Sequence, residues 1–336
     1  MKRARSAGAA VLMAMLTVAF VATIAAAALW QQWRGIEVET AERARVQSAW
    51  ILTGALDWAR LLLREDQTGA SAGGADHLGE PWAVPLQEAR LSSFLAADRN
   101  NTSTDFGPEV MDAFLSGQIV DLQSLMNVNN LVNDTGQVSD DDVKAFERLF
   151  ALLNLPANEL TKLVENLRFS IAAGQVTPSP MQAPLRPQRV TDLVWLGLSA
   201  QTVAVLEPYV TLLPGRRAVN ANTAAAEVIA AAGDIDLSDA QRLVQVRQAA
   251  YFKTVSDIQQ HLAPGEQLPD NALTYRSDFF EVRARLRLDK LVVEERSVLR
   301  RDLTPQSQGP SISVLRRERG AVDPTTMARL AMAGQR

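Results

Sequence analysis

The chain has 336 residues, a net charge of −4 and a hydrophobic fraction of 47%. This length is enough for one large domain or two modest ones with a real core, and the mildly acidic balance implies no general affinity for nucleic acid. There is no cysteine, which excludes disulfides, thiolate nucleophiles and cysteine-ligated metal sites.

The N-terminus carries an uncharged apolar run directly after three cations, Lys2, Arg3 and Arg5. No charged residue occurs from Ala9 to Trp30, and these 22 residues would span roughly 33 Å as a helix, enough to cross the hydrocarbon core of a bilayer. The positive-inside bias predicts that the cations stay in the cytoplasm and that the rest of the chain lies outside.

A cleavable secretory signal peptide is the alternative, since Ala25–Ala28 supplies a small-residue cleavage site. The helical pattern does not stop there, however, because apolar residues recur at the spacing of one helical face over 51–62. We therefore predict one continuous helix over 9–66, of which 9–30 is transmembrane.

This arrangement resembles the N-terminus of type IV pilin-like proteins, in which a short basic leader ends at a glycine and a long helix follows. The resemblance implies that 1–8 is a leader and that a prepilin peptidase cuts between Gly8 and Ala9 and methylates the new N-terminus. Most of these proteins carry a glutamate as the fifth mature residue, where this sequence has Met13. Pseudopilin K of type II secretion systems typically lacks that glutamate. The glutamate meets the N-terminal amine of a neighbouring subunit inside the hydrocarbon layer, and a subunit at the filament tip has no subunit above it.

Two internal strings extend the resemblance to K-type pseudopilins. LSGQIVDLQSLMNVNNL, at 115–131, resembles an extended segment of that family, and PYVTLLPGRRAVNANTAAAEVIAA, at 208–231, resembles another of its strings. A generic amphipathic strand would explain the alternation of apolar residues in the first string, but not the whole string.

Helical patterns dominate 132–271, beginning with SDDDVKAFERLFALLNLP and ANELTKLVENLRFSIAAG. Ser139 is the predicted N-cap of the first of these helices, with Asp142 at N3 of a capping box. Strand patterns lie on either side, so 67–131 and 272–302 are predicted to be the two parts of one sheet domain. In the second part, apolar and charged residues alternate over 280–288, and 291–302 is predicted to return as the partner strand. A sheet interrupted in this way implies that the helical block is an insertion. The remainder, 303–336, is rich in polar residues and is expected to be a flexible tail.

Pairs of short helices joined by tight turns are typical of SAM-like or helix-hairpin-helix units, and Ser238 with Gln241 is one predicted capping box among them. Such hairpins can offer backbone amides to phosphates, so a membrane-anchored DNA-binding protein is the alternative function. The turn at 233–236 is acidic and lacks a second glycine, and Arg242 and Arg247 alone do not make a basic stripe. No nucleic-acid partner is therefore expected.

The sequence contains no motif for catalysis: no nucleophile beside a base, no phosphate-binding loop and no histidine–glutamate metal motif. We expect that the chain is not an enzyme, that it has no cofactor, and that His77 and His261 are ordinary imidazoles. The resemblance implies calcium sites in the helical insert, near an acidic motif that is not found here. The run Asp140–Asp142 suits the first turn of a helix, so calcium is left open and no ligand is assigned.

The sequence thus predicts an α+β fold: a pilin-like long N-terminal helix packed on a small antiparallel sheet, with a large inserted all-α (SAM-like/helix-hairpin-helix) domain. The resemblance implies a minor pseudopilin of the inner membrane, at the pseudopilus tip, which supports export of folded proteins from the periplasm. It also implies pseudopilins I and J as partners. Trp50, Leu56 and Leu61 are expected to be available to neighbouring helices.

Overall fold

The computed structural model describes residues 6–68, 74–92, 113–174, 183–263, 265–288, 291–302 and 311–321. Its α-helices are α1 (Ser6–Thr68), α2 (Asp140–Leu152), α3 (Ala157–Gly174), α4 (Ala200–Leu206), α5 (Ala226–Gly233), α6 (Leu237–Ala249) and α7 (Val255–Gln260). Its strands are β1 (Leu86–Arg90), β2 (Ala113–Asp121), β3 (Met126–Asn127), β4 (Val210–Thr211), β5 (Val219–Asn220), β6 (Leu273–Thr274), β7 (Phe279–Leu288), β8 (Leu291–Asp302) and β9 (Ser311–Ala321). Short 3-10 helices lie at Pro81–Ala83, Leu122–Ser124, Val128–Asn130 and Val190–Leu196.

The helix α1 is continuous through the small-residue stretch at Ala25–Ala28. Its 63 residues span about 95 Å at 1.5 Å per residue. Every side chain from Ala9 to Arg43 is exposed, and one 18-residue window of the helix reaches a mean hydropathy of 2.4. By length and composition, this helix can cross a membrane.

A five-stranded antiparallel sheet, in the order β1-β2-β7-β8-β9, packs on the second half of α1. β2 pairs with β7 along its whole length, from Ala113 opposite Leu288 to Asp121 opposite Phe280. The two predicted halves of the sheet therefore pair directly, although the helical insert separates them in sequence. The apolar side chains that join α1 to the sheet include Leu52, Leu63, Trp82, Leu115, Phe280, Leu286, Val293 and Leu299.

The strand β9 differs from the expectation for the C-terminus. Residues 303–336 were predicted to be a flexible tail, but Ser311–Ala321 pairs with β8 as an edge strand. The reason is a buried carboxylate on β8: Glu295 is almost fully buried and pairs with Arg317 at 2.7 Å and Arg319 at 2.6 Å. Without β9, the buried Glu295 carboxylate would lose both of these partners, so the two arginines favour the pairing of β9 with β8.

The helical insert, which lies between β2 and β7 in sequence, has a hydrophobic core of its own. That core includes Phe146, Leu149, Phe150, Leu163, Leu167, Val228, Ile229 and Leu243. The N-cap predicted at Ser139 is present, because its side chain accepts a hydrogen bond from the Asp142 amide. The capping box predicted at Ser238 does not form, since α6 begins earlier, with Asp236 as its N-cap residue.

A buried polar junction connects the insert to the sheet. Asp121, at the end of β2, accepts hydrogen bonds from Thr223 Oγ1 at 2.6 Å, Ser277 Oγ at 2.7 Å and Asn220 Nδ2 at 3.0 Å. Thr223 and Asn220 belong to the insert, whereas Ser277 precedes β7. Because a buried carboxylate is costly without hydrogen-bond donors, this junction fixes how the insert sits on the sheet.

Arg301 of β8 extends the junction to the end of α1. Its side chain is fully buried and pairs with Asp76 at 2.5 Å and with Asp66, in the last turns of α1, at 3.1 Å. It also donates a hydrogen bond to the Ser277 carbonyl at 2.7 Å. The guanidinium therefore holds the end of the long helix, the loop that follows it and the sheet together.

Two carboxyl groups of this cluster, Asp76 and Glu80, have raised pKa values. Burial raises the pKa of Asp76 to about 6, against the opposing charge of Arg301. Burial also raises the pKa of Glu80 to about 8, and a hydrogen bond between the Glu80 and Asp66 carboxyl groups adds to the rise. A hydrogen bond between two carboxyl groups needs a proton on one of them, and the raised pKa assigns that proton to Glu80.

These raised pKa values predict that the protein loses stability as the pH increases. The folded state binds the Glu80 proton more tightly than the unfolded chain, so the free energy of unfolding should fall from about pH 5 to about pH 8 and then level off. Asp76 should contribute only to the acidic part of that fall. We expect a melting temperature about 2–4 °C lower at pH 8 than at pH 5, measured on the full chain in detergent.

The variant Glu80→Gln tests the cause, because its amide mimics the protonated carboxyl group. It should remove most of this pH dependence. Glu147→Gln, at an exposed carboxylate on α2, is the matched control and should keep the pH dependence of the wild type. An unchanged pH dependence in Glu80→Gln would contradict the assignment.

Candidate interaction surface on the long helix

The half of α1 that packs on the sheet has one buried face. Leu52, Leu56, Ala59 and Leu63 lie on it, at the spacing of one helical side. Leu56 was expected to be available to neighbouring helices, and this expectation is wrong: its side chain is 5% exposed and packs in the cluster of Trp82. The spacing of apolar residues predicted that the helix has apolar faces. Packing on the sheet determines which of these faces is buried.

The opposite face of the same half carries exposed apolar side chains. We call Val46, Trp50 and Leu61 the apolar stripe; Trp50 is 73% exposed. Trp50 and Leu61, eleven positions apart, point within about 20° of the same direction at 100° per residue. Gly54 lies between them, and a Cβ at that position would meet nothing within 4 Å. Exposed large apolar groups in a row, with a small residue among them, favour the close approach of another helix.

The predicted processing residues lie at the other end of α1. Gly8, Ala9 and Met13 are all helical, and the Met13 side chain is 66% exposed. Farther along, the rings of Trp30 and Trp33 lie 5.4 Å apart where the apolar run ends, as in an interfacial aromatic belt. The geometry therefore matches an anchor, while cleavage at Gly8 stays a prediction.

Among the described residues, one cluster of three carboxylates lies close enough together to hold a cation. Oxygen atoms of Asp66, Asp76 and Glu80 lie within 4.8 Å of one another. Arg301 already pairs with Asp66 and Asp76. The resemblance implies calcium sites within the insert, and this cluster lies outside it. Within Asp140–Asp142, the last carboxylate pairs with Arg216 at 3.0 Å and the first two are exposed. No calcium ligand is assigned among these residues, and calcium rests on the resemblance alone.

The two histidines make local contacts. The ring of His77 stacks on Tyr251 with centroids 3.9 Å apart, and burial lowers the pKa of His77. His261 Nδ1 lies 2.8 Å from the Asp257 carbonyl oxygen at the end of α7. The first contact joins two segments that are distant in sequence, and the second lies within the last turn of α7.

The arginines near the α5–α6 hairpin are engaged within the fold. Arg247 donates hydrogen bonds to the carbonyls of Ala221 and Ala224, both at 2.6 Å. Arg242 pairs with Asp239 at 2.6 Å and also bonds the His261 carbonyl. These contacts use the cations that a DNA-binding hairpin would direct at phosphates, so the alternative function has no support here.

The chain is similar in sequence to known proteins. Two family models, both described as type II secretion system (T2SS), protein K, match residues 124–215 and 219–275. Type II secretion system protein K of Pseudomonas aeruginosa is 29% identical over 274 residues, which is 76% of this chain and 76% of that protein. Its counterpart in Aeromonas hydrophila is 29% identical over 246 residues, covering 60% of this chain and 74% of that one.

A solved structure shares the fold. It is the crystal structure of the GspK-GspI-GspJ complex from enterotoxigenic Escherichia coli, with a TM-score of 0.56 and 16% identity. The match covers 83% of this chain and 98% of that chain. The family models and the curated relatives carry the same description, so the chain is similar to type II secretion system protein K over most of its length.

Proposed function

We propose that this chain is a minor pseudopilin that caps the pseudopilus of a type II secretion system and supports export of folded proteins from the periplasm. The observation that carries the proposal is α1: one half is exposed and apolar enough to span a membrane, and the other is fixed on a folded domain that is similar to type II secretion system protein K. Its role is structural rather than enzymatic.

The proposed location is the inner membrane, with a single span and a cytoplasmic N-terminus. Lys2, Arg3 and Arg5 precede the apolar run, and the positive-inside bias places the folded domain in the periplasm. We also propose that the paired helices α5 and α6 form a SAM-like or helix-hairpin-helix unit with a structural role. The internal contacts of Arg242 and Arg247 support that role.

The proposed partners are pseudopilins I and J. A relative of the same fold was crystallised in a complex named GspK-GspI-GspJ, and this chain presents a surface that suits such neighbours. The apolar stripe faces away from the sheet, so a second helix can lie along α1 without displacing the core. Burying the Trp50 indole would supply much of the contact energy, because interfaces depend most on large aromatic side chains.

Processing at Gly8 is tested by intact mass. We expect the mature chain to begin at Ala9 with a methylated amine, and Gly8→Val to block cleavage because the branched side chain does not suit a small-residue pocket. Gly35→Val is the control, since Gly35 lies on the exposed part of α1 with nothing within 4 Å of an added Cβ. A mature N-terminus near Leu29 would contradict this prediction.

The missing glutamate gives a prediction about assembly. If no subunit lies above this one, Met13→Glu should give no gain in secretion. It should reduce secretion if the new carboxyl group stays unpaired near the middle of the bilayer, where it costs on the order of 3 kcal/mol. Exported protein is the readout, and a clear increase over the wild type would contradict a position at the tip.

The stripe is tested by binding to the I and J partners in detergent. Trp50→Ala should weaken association about tenfold, which corresponds to about 1.4 kcal/mol. Trp195→Ala is the matched control, because Trp195 is an exposed tryptophan on the insert and should leave binding unchanged. Equal affinities for the two variants would mean that the stripe is not the contact surface.

A further inference from the structure

The two flanks of α1 differ in chemistry. On the β9 side, Arg60 donates a hydrogen bond to the Ile312 carbonyl at 2.9 Å, and Arg317 donates one to Thr53 Oγ1 at 2.8 Å. Arg319 also reaches a carbonyl of α1 on this side. Polar contacts between the helix and the edge strand therefore close this flank.

The β1 side is open and apolar. A small, open cleft lies between α1 and the strands β1 and β2. It exists because small residues line it: Ala55 and Ala59 on the helix, and Gly117 on β2, where an added Cβ would be 2.9 Å from the Arg283 carbonyl oxygen. Larger side chains at these positions would fill the cleft.

The lining of the cleft suits an apolar group. Trp58 and Leu62 form its helical wall, and Trp82 and Val84 come from the segment before β1. The one charged side chain in the lining is Arg283, which pairs with Glu281. Val84 is 67% exposed at the edge of the cleft, so an incoming side chain would bury apolar surface that is now in water.

The position of the cleft identifies what can occupy it. Trp58 points about 80° away from Trp50 around the helix, so the cleft continues from the apolar stripe onto the β1 flank. The stripe lies on the same helix as 9–30, the part that can span a membrane, and an exposed ion pair between Glu39 and Arg43 separates the two. A partner anchored in the same bilayer would therefore bring a helix that lies along α1 at the level of the stripe and the cleft.

We propose that the cleft receives one large apolar side chain from the helix of a second membrane-anchored protein, which packs on the β1 flank of α1 and not on the β9 flank. This inference rests on the proposed function and adds to it the side of the helix that the partner uses and the pocket that receives it. The partner's side chain is aromatic or branched aliphatic, since the one charged side chain in the lining, Arg283, is already paired with Glu281.

Single-cysteine cross-linking tests the side of contact, because the chain has no cysteine of its own. The variants Val84→Cys and Leu315→Cys each put one cysteine in the full chain, on the β1 flank and the β9 flank respectively. Each cysteine is labelled with a photoactivatable maleimide in membranes that contain the I and J partners. Val84 is 67% and Leu315 45% exposed, so neither variant disturbs the core. We expect a cross-link to a partner from Val84→Cys and little from Leu315→Cys.

Three outcomes would overturn the inference: equal cross-linking from both flanks, cross-linking of Val84→Cys only to a second copy of this chain, or cross-linking only to an exported protein.

A binding measurement separates this inference from the function on which it rests. Val84→Asp should weaken association with the partners about tenfold, because it puts a charge at the edge of an apolar pocket. Leu315→Asp is the matched control and should bind like the wild type. Wild-type binding together with unchanged binding of Val84→Asp would overturn the cleft alone. Absence of wild-type binding would overturn the proposed function as well.

Discussion

The fold depends on a buried carboxylate whose donors come from separate parts of the chain. Asp121 ends β2, and its oxygens accept hydrogen bonds from the insert and from the segment before β7. Loss of one donor would leave a buried acceptor unsatisfied, at a cost of about 1–3 kcal/mol. A small cluster around Phe279 and Leu213 adds apolar contact between the insert and the sheet.

This junction explains how the molecule presents its helix. Arg301 connects the junction to Asp66 near the end of α1, while Leu52 and Leu63 hold the preceding turns on the sheet. The segment from Ala9 to Arg43 then extends free of the domain. A helix fixed at one end and exposed at the other can assemble in a membrane without any change in its folded domain, which suits a structural subunit.

Much of the fold could be predicted from local pattern. The apolar run of α1, the alternation in β7 and β8, and the cap at Ser139 all depend on near neighbours in sequence, and each was found as expected. The strand β9 could not be predicted, because its arginines act on Glu295 of β8, a partner visible only after folding. Leu56 was misassigned for a related reason: periodicity defines a helical face, but the sheet decides which face is buried.

The central claim is that the exposed surface of α1 assembles with other membrane-anchored pseudopilins. The most direct measurement is native mass spectrometry of the full chain, purified from detergent-solubilised membranes in which pseudopilins I and J are present. The account predicts one complex that contains this chain with both partners. Recovery of this chain alone, from membranes in which both partners are folded and abundant, would contradict it.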